Sequence, residues 1–162
     1  MFTRGGAACK VCIIITLVVF VLVVGVSAFL LLYAPKAEDL SKKISSDDVK
    51  VFYYEEGKTE YSSNIKEAIS FMDTFEVEYT IKEVIEFYSA SLSEDDDKYV
   101  EGYIFYLDGI GSSFKFFTKY LKYLMDTDSD SANGLEHHFS SRGNILFVGN
   151  TNAEIEFRKV IF

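Results

Sequence analysis

The chain has 162 residues, of which 16 are basic and 25 acidic, giving a net charge of −9. That balance argues against binding a phosphate backbone. Both cysteines, Cys9 and Cys12, lie near the amino end, so the rest of the chain has neither an internal disulfide nor a thiolate metal site.

Residues 1–10 are a short basic tail carrying Arg4 and Lys10. No charged residue then stands between Lys10 and Lys36. The apolar run would rise about 36 Å as a helix, against a hydrocarbon core of about 30 Å. It predicts a transmembrane signal anchor at residues 11–35 and a single-pass membrane protein. A cleaved signal peptide is the alternative, with Val26, Ser27 and Ala28 as its small-residue site. Lysines follow the run at 36, 42 and 43, so the flanking charges are nearly balanced. The basic tail before a long apolar run points to a domain outside the cytoplasm. Cys9 and Cys12 fall at the membrane boundary and are candidates for palmitoylation. Small residues at a helix end are the plain reading of both.

Pro35 ends the apolar helix. Residues 36–48 read as a juxtamembrane stalk or a short helix, with Leu40 and Ile44 one turn apart. The remaining residues, 49–162, predict one acidic domain. With 14 basic residues after Pro35 and all 25 acids, the part beyond the apolar run is near −11. Its many aromatics, from a total of 15 Phe and 11 Tyr, imply a packed core.

Residues 49–54 (VKVFYY) predict a strand, with residues 59–61 as a short returning arm. Ile65, Ala68, Ile69 and Met72 follow helical spacing after a capping pattern of Asn64 with Glu67, predicting a helix at 64–73. Residues 75–80 (FEVEYT) alternate and predict a half-buried strand. Residues 81–92 predict a helix, through Ile81, Val84, Ile85, Tyr88 and Leu92 and a Thr80–Glu83 capping pattern, with a strand as the alternative.

Residues 93–98 form a charged loop, and residues 99–107 (YVEGYIFYL) a strand. A helix at 112–125 follows, with Phe114, Phe117, Tyr120 or Leu121, and Leu124 on one face. Its lysines, Lys115, Lys119 and Lys122, lie on the other side. Residues 126–142 read as a long polar loop with a turn of helix at 135–139. Residues 144–148 (NILFV) predict a buried strand. Thr151 with Glu154 opens a last helix, with Ile155, Val160 and Phe162 inward. These elements predict an α+β domain of two layers, about four strands with helices on one face. A mixed α/β sheet is the alternative.

Asp126, Asp128 and Asp130 have the spacing that opens calcium loops, where alternate carboxylates meet one hard cation. Ser131 stands where such a loop needs Gly, and position twelve is His137. A solvated acidic linker is the plain alternative. His137 and His138 are adjacent, and neighbours on a regular element do not face one metal. Gly109 and Gly111 precede a helix but lack the third Gly and the Lys of a phosphate loop. No serine elbow or nucleophile–base pair is visible. The expected function is a membrane-anchored binding or assembly module that presents a small acidic domain to a protein or envelope partner. The alternatives are an anchored hydrolase using carboxylates and a calcium-responsive sensor. No cofactor is expected beyond calcium, and no nucleic acid.

Overall fold

Five strands, all antiparallel, form one sheet in the computed structural model, which describes residues 5–45, 47–57, 60–93, 96–126 and 138–161. The chain divides into two units, Met1–Tyr33 and Ala34–Phe162. The first holds helix α1 (Gly5–Leu32). The second runs α2 (Ala37–Ile44), β1 (Val49–Tyr54), α3 (Ser63–Asp73), β2 (Ile81–Ser89), β3 (Glu101–Leu107), α4 (Ile110–Asp126), β4 (His138–Arg142), β5 (Ile145–Gly149) and α5 (Thr151–Ile161). The strand order is β1-β2-β3-β5-β4.

The expected membrane anchor is corrected. Among the described residues, no helix is long and apolar enough to cross a membrane. The single-pass membrane localisation, the signal anchor and the extracytoplasmic placement inferred from it lose their basis.

The fold class is corrected as well. The chain is a mixed α/β protein with five strands rather than about four, and its helices pack on both faces of the sheet. Side chains alternate across a strand, so each strand feeds two cores. On one face Val84, Tyr103, Phe105, Leu107, Leu146 and Val148 meet Ile65, Ala68 and Met72 of α3 and Phe116 and Tyr120 of α4. On the other, Ile85, Phe87, Ile104, Tyr106, Ile145 and Phe147 meet Leu40 and Ile44 of α2 and Ala153, Phe157 and Ile161 of α5.

Two-sided burial explains the error at residues 81–92. Residues 81–89 form strand β2, the alternative reading of that stretch, not a helix. Val84 and Ile85 point to opposite cores and both are fully buried. Apolar residues at successive positions imitate helical spacing there. Residues 76–80 form no strand, although Phe75 and Val77 are buried and Tyr79 packs edge-on against Phe116. Their alternation reflects an irregular segment laid over the core. Among the described residues no returning arm follows β1, whose partner is β2; residue 59 lies outside them. Residues 138–142, expected in a loop, are the edge strand β4. A two-residue turn, Gly143-Asn144, joins Arg142 to its partner Ile145. Gly143 takes φ +59, which suits glycine at the first position of such a turn.

On the last helix Ala153, Phe157 and Ile161 are buried, Val160 packs partly against the same core as expected, Ile155 is exposed, and Phe162 lies outside the described residues. Asn150 caps this helix, its Oδ1 accepting from the amide of Ala153. Ser62, not Asn64, caps α3 by accepting from the amide of Ile65. Leu40 is fully buried, so α2 packs on the sheet rather than standing in a solvated stalk.

Gly102 and Gly149 face each other on β3 and β5. A Cβ at Gly102 would lie 2.6 Å from Phe87 and 3.0 Å from Ala153 of α5; one at Gly149 would lie 2.6 Å from the Glu101 carbonyl. The two glycines let α5 sit close over the sheet. Alanine at either should cost about 1–3 kcal/mol in urea unfolding, through overpacking. Alanine at Gly111, where nothing lies within 4 Å, should be neutral or gain up to about 1 kcal/mol. Equal stability of Gly102→Ala and Gly111→Ala would contradict this packing.

Candidate functional site

Helix α4 carries two apolar faces. Ser113, Phe116 and Tyr120 are buried. Ser113 Oγ donates to the Gly143 carbonyl of the β4–β5 turn at 2.5 Å. Phe116 and Tyr120 lie against Phe139 of β4, with ring centroids 6.4 and 4.9 Å apart. Lys119 Nζ donates to the carbonyls of Phe75 and Glu76, at 2.6 and 3.0 Å. It thus ties α4 to the turn that follows α3. These ties fix the rotation of α4 about its axis.

The second face is turned outward. Ile110, Phe114, Phe117, Leu121 and Met125 fall within an arc of about 80° and span about 22 Å. Ile110 is 44% exposed, Phe114 65%, Leu121 42% and Met125 85%. Phe114 was expected inward on the helical pattern. The period was right, but the stripe containing Phe114 and Leu121 has no covering element among the described residues. Beside it, Lys115, Lys119 and Lys122 form a row. On the far side of that row, an open groove of about 600 Å³ is lined by Phe71, Phe75, Tyr123, Lys119 and Lys122.

A buried polar network lies on the same sheet face as α3 and α4. Glu86 of β2 is buried, and its carboxylate accepts from Tyr54 Oη at 3.0 Å and Ser62 Oγ at 2.9 Å. Ser62 also caps α3, so one carboxylate ties β1, β2 and the start of α3 together. Tyr103, paired with Glu86 across the strands, donates to Glu101, which also accepts from Asn64 Nδ2 at 3.4 Å. A buried carboxylate is costly unless donors meet it, and two hydroxyls do so here. A second groove, of about 430 Å³, is lined by Pro35, Lys36, Tyr53, Glu83, Tyr106 and Asn144. Neither groove is lined by Glu86 or Glu101. The protons of Tyr54 and Ser62 are engaged on Glu86, which suits an internal brace more than acid–base work.

Sequence reasoning missed Glu86, Glu101 and Ser62. Only the two-sided burial of β2 marks Glu86 as an inward position. Of the calcium candidates, Asp126 ends α4 and is exposed, while Asp128 and Asp130 lie outside the described residues, as does His137. Among the described residues, no group of three His, Cys, Asp or Glu is placed to hold a metal ion. Cys9 and Cys12 fall on the backbone of α1, and their side chains lie outside what is described. His138 Nε2 is 3.1 Å from Thr151 Oγ1 at the start of α5. Comparison with protein-family models, with known proteins and with solved structures finds no match for this chain.

Burial, followed by the bond to Glu86, raises the Tyr54 hydroxyl to about 12. Burial and Glu101 raise Tyr103 further, and burial and Asp73 raise Tyr79. These hydroxyls stay protonated in the fold to higher pH than in the open chain. Their contribution is therefore complete below the ordinary tyrosine value near 10 and disappears as pH rises toward about 12. Phenolate absorbance should show some of the 11 tyrosines ionising only as circular dichroism reports unfolding. Ionisation of all of them near pH 10 with an intact fold would refute the network.

Proposed function

We propose that the Ala34–Phe162 unit is a protein-binding module that engages a partner through the outward stripe of α4. The supporting observation is the exposure of Phe114 and Met125 on a helix whose other apolar face is already packed. Each large apolar side chain left in water forgoes roughly 1.5–3 kcal/mol of burial. Contiguous exposed apolar surface of this kind marks interaction sites in folded proteins. A helix presents it rigidly, because Ser113, Phe116, Lys119 and Tyr120 hold the opposite side. Little ordering cost then remains for α4 at the moment of binding.

A photo-crosslinking residue at position 114 should give a discrete adduct in cells, and one at the exposed α3 position Lys66 should not. Phe114→Ser and Met125→Ser should each weaken recovery of the same partner about tenfold while leaving urea unfolding within about 0.5 kcal/mol of the parent. Equal adducts at 114 and 66, or none at 114, would refute the docking role.

A further inference from the structure

We infer that the partner segment received by α4 is an amphipathic helix with acidic residues beside its apolar ridge, an assignment that rests on the docking role just proposed. Charge carries it. The chain is at −9, yet α4 has Lys115, Lys119 and Lys122 against a single acid, its last residue Asp126. This row runs alongside the exposed stripe for two turns. Lys119 is engaged by the Phe75 and Glu76 carbonyls. Lys115 and Lys122 form no ion pair among the described residues, whose four ion pairs use Lys42, Lys82, Arg158 and Lys159. Lys115 and Lys122, without an ion pair among the described residues, thus edge an apolar ridge in a protein of net negative charge.

The shape selects a helix. The stripe is straight, about 22 Å long and one helix face wide, so a second helix packing along it would meet Ile110, Phe114, Phe117, Leu121 and Met125 in turn. Acids on the side facing Lys115 and Lys122 would complete the contact. A basic partner helix would place like charges together, which suppresses wrong pairings. Phosphate-rich partners fit poorly, because the apolar stripe offers their backbone nothing and the remaining charge repels it.

The probe is a pair of synthetic amphipathic helical peptides of equal length, one of Leu and Glu, the other of Leu and Lys. Each is labelled and titrated with the full chain by fluorescence anisotropy. The Leu/Glu peptide should bind and weaken with salt. Lys115→Glu with Lys122→Glu should weaken it at least about twofold and improve the Leu/Lys peptide by a similar factor, since exposed ion pairs each contribute little. That gain for the swapped peptide shows the variant to be folded. Phe114→Ser should weaken both peptides. Equal binding of the two peptides by the parent chain, no response to the lysine reversals, or binding to anionic vesicles in place of the Leu/Glu peptide would each overturn the assignment. A position-114 adduct in cells, together with failure of both peptides, would leave the docking surface standing and remove only the acidic helix.

Discussion

The ring of Phe139 decides which way α4 faces. It lies on the edge strand β4, stacked on Phe71 at 5.4 Å and edge-on to Phe75 and Tyr120 at 5.2 and 4.9 Å. It therefore joins α3, the turn after α3 and α4 to one point of the sheet. Aromatic pairs of this geometry contribute about 0.5–1.5 kcal/mol each beyond area burial. They also carry an orientation, because Phe116 and Tyr120 satisfy them only when α4 is rotated with its 113–116–120 face inward. Phe114 is then directed outward. The exposed stripe is thus a consequence of the core, not a defect of it.

That geometry depends in turn on β4 being a strand at all. The Gly143-Asn144 turn reverses the chain within two residues and sets Phe139 opposite Val148. Ser113 then reads the Gly143 carbonyl, so the turn and the helix position each other. On the opposite sheet face, the Gly102–Gly149 pair lets α5 approach, and Phe157 stacks on Phe147 at 4.9 Å. The central strands are consequently buried on both sides. Glu86 lies in this setting as the one buried acid among the described residues, and it remains tolerable because Tyr54 and Ser62 both donate to it.

Much of the element order was legible from local patterns. β1, α3, β3, β5 and α5 lie within a few residues of where periodicity and strand composition put them. What failed was the side to which a pattern points. Ile81 to Tyr88 satisfies helical spacing because Val84 and Ile85 are each buried on a different face, a fact set by helices far away in sequence. Phe114 and Leu121 share a helix face, but nothing local says whether that face or the 113–116–120 face meets the sheet. β4 was missed although its signal is local: Arg-Gly-Asn-Ile places Gly-Asn between two strand runs, a standard hairpin pattern. The polar composition of residues 126–142 hid it. Glu86 could not be read as buried, since its partners Tyr54 and Ser62 are 32 and 24 residues away.

Why a sequence would keep an outward apolar stripe follows from the distribution of charge. With 25 acids over the chain, self-repulsion between copies favours the separate, dissolved state, which an exposed Phe114 and Met125 would otherwise oppose. The net negative charge would disfavour an acidic partner over much of the surface. Placing Lys115 and Lys122 beside the stripe therefore relieves the negative charge along this apolar ridge. A stripe flanked by acids would have kept copies apart but would have turned away an acidic helix. A stripe in a neutral protein would have taken any apolar surface it met. The acidic background and the lysine row act as one selective device, and the rotation of α4 imposed by Phe139 brings the ridge to the surface.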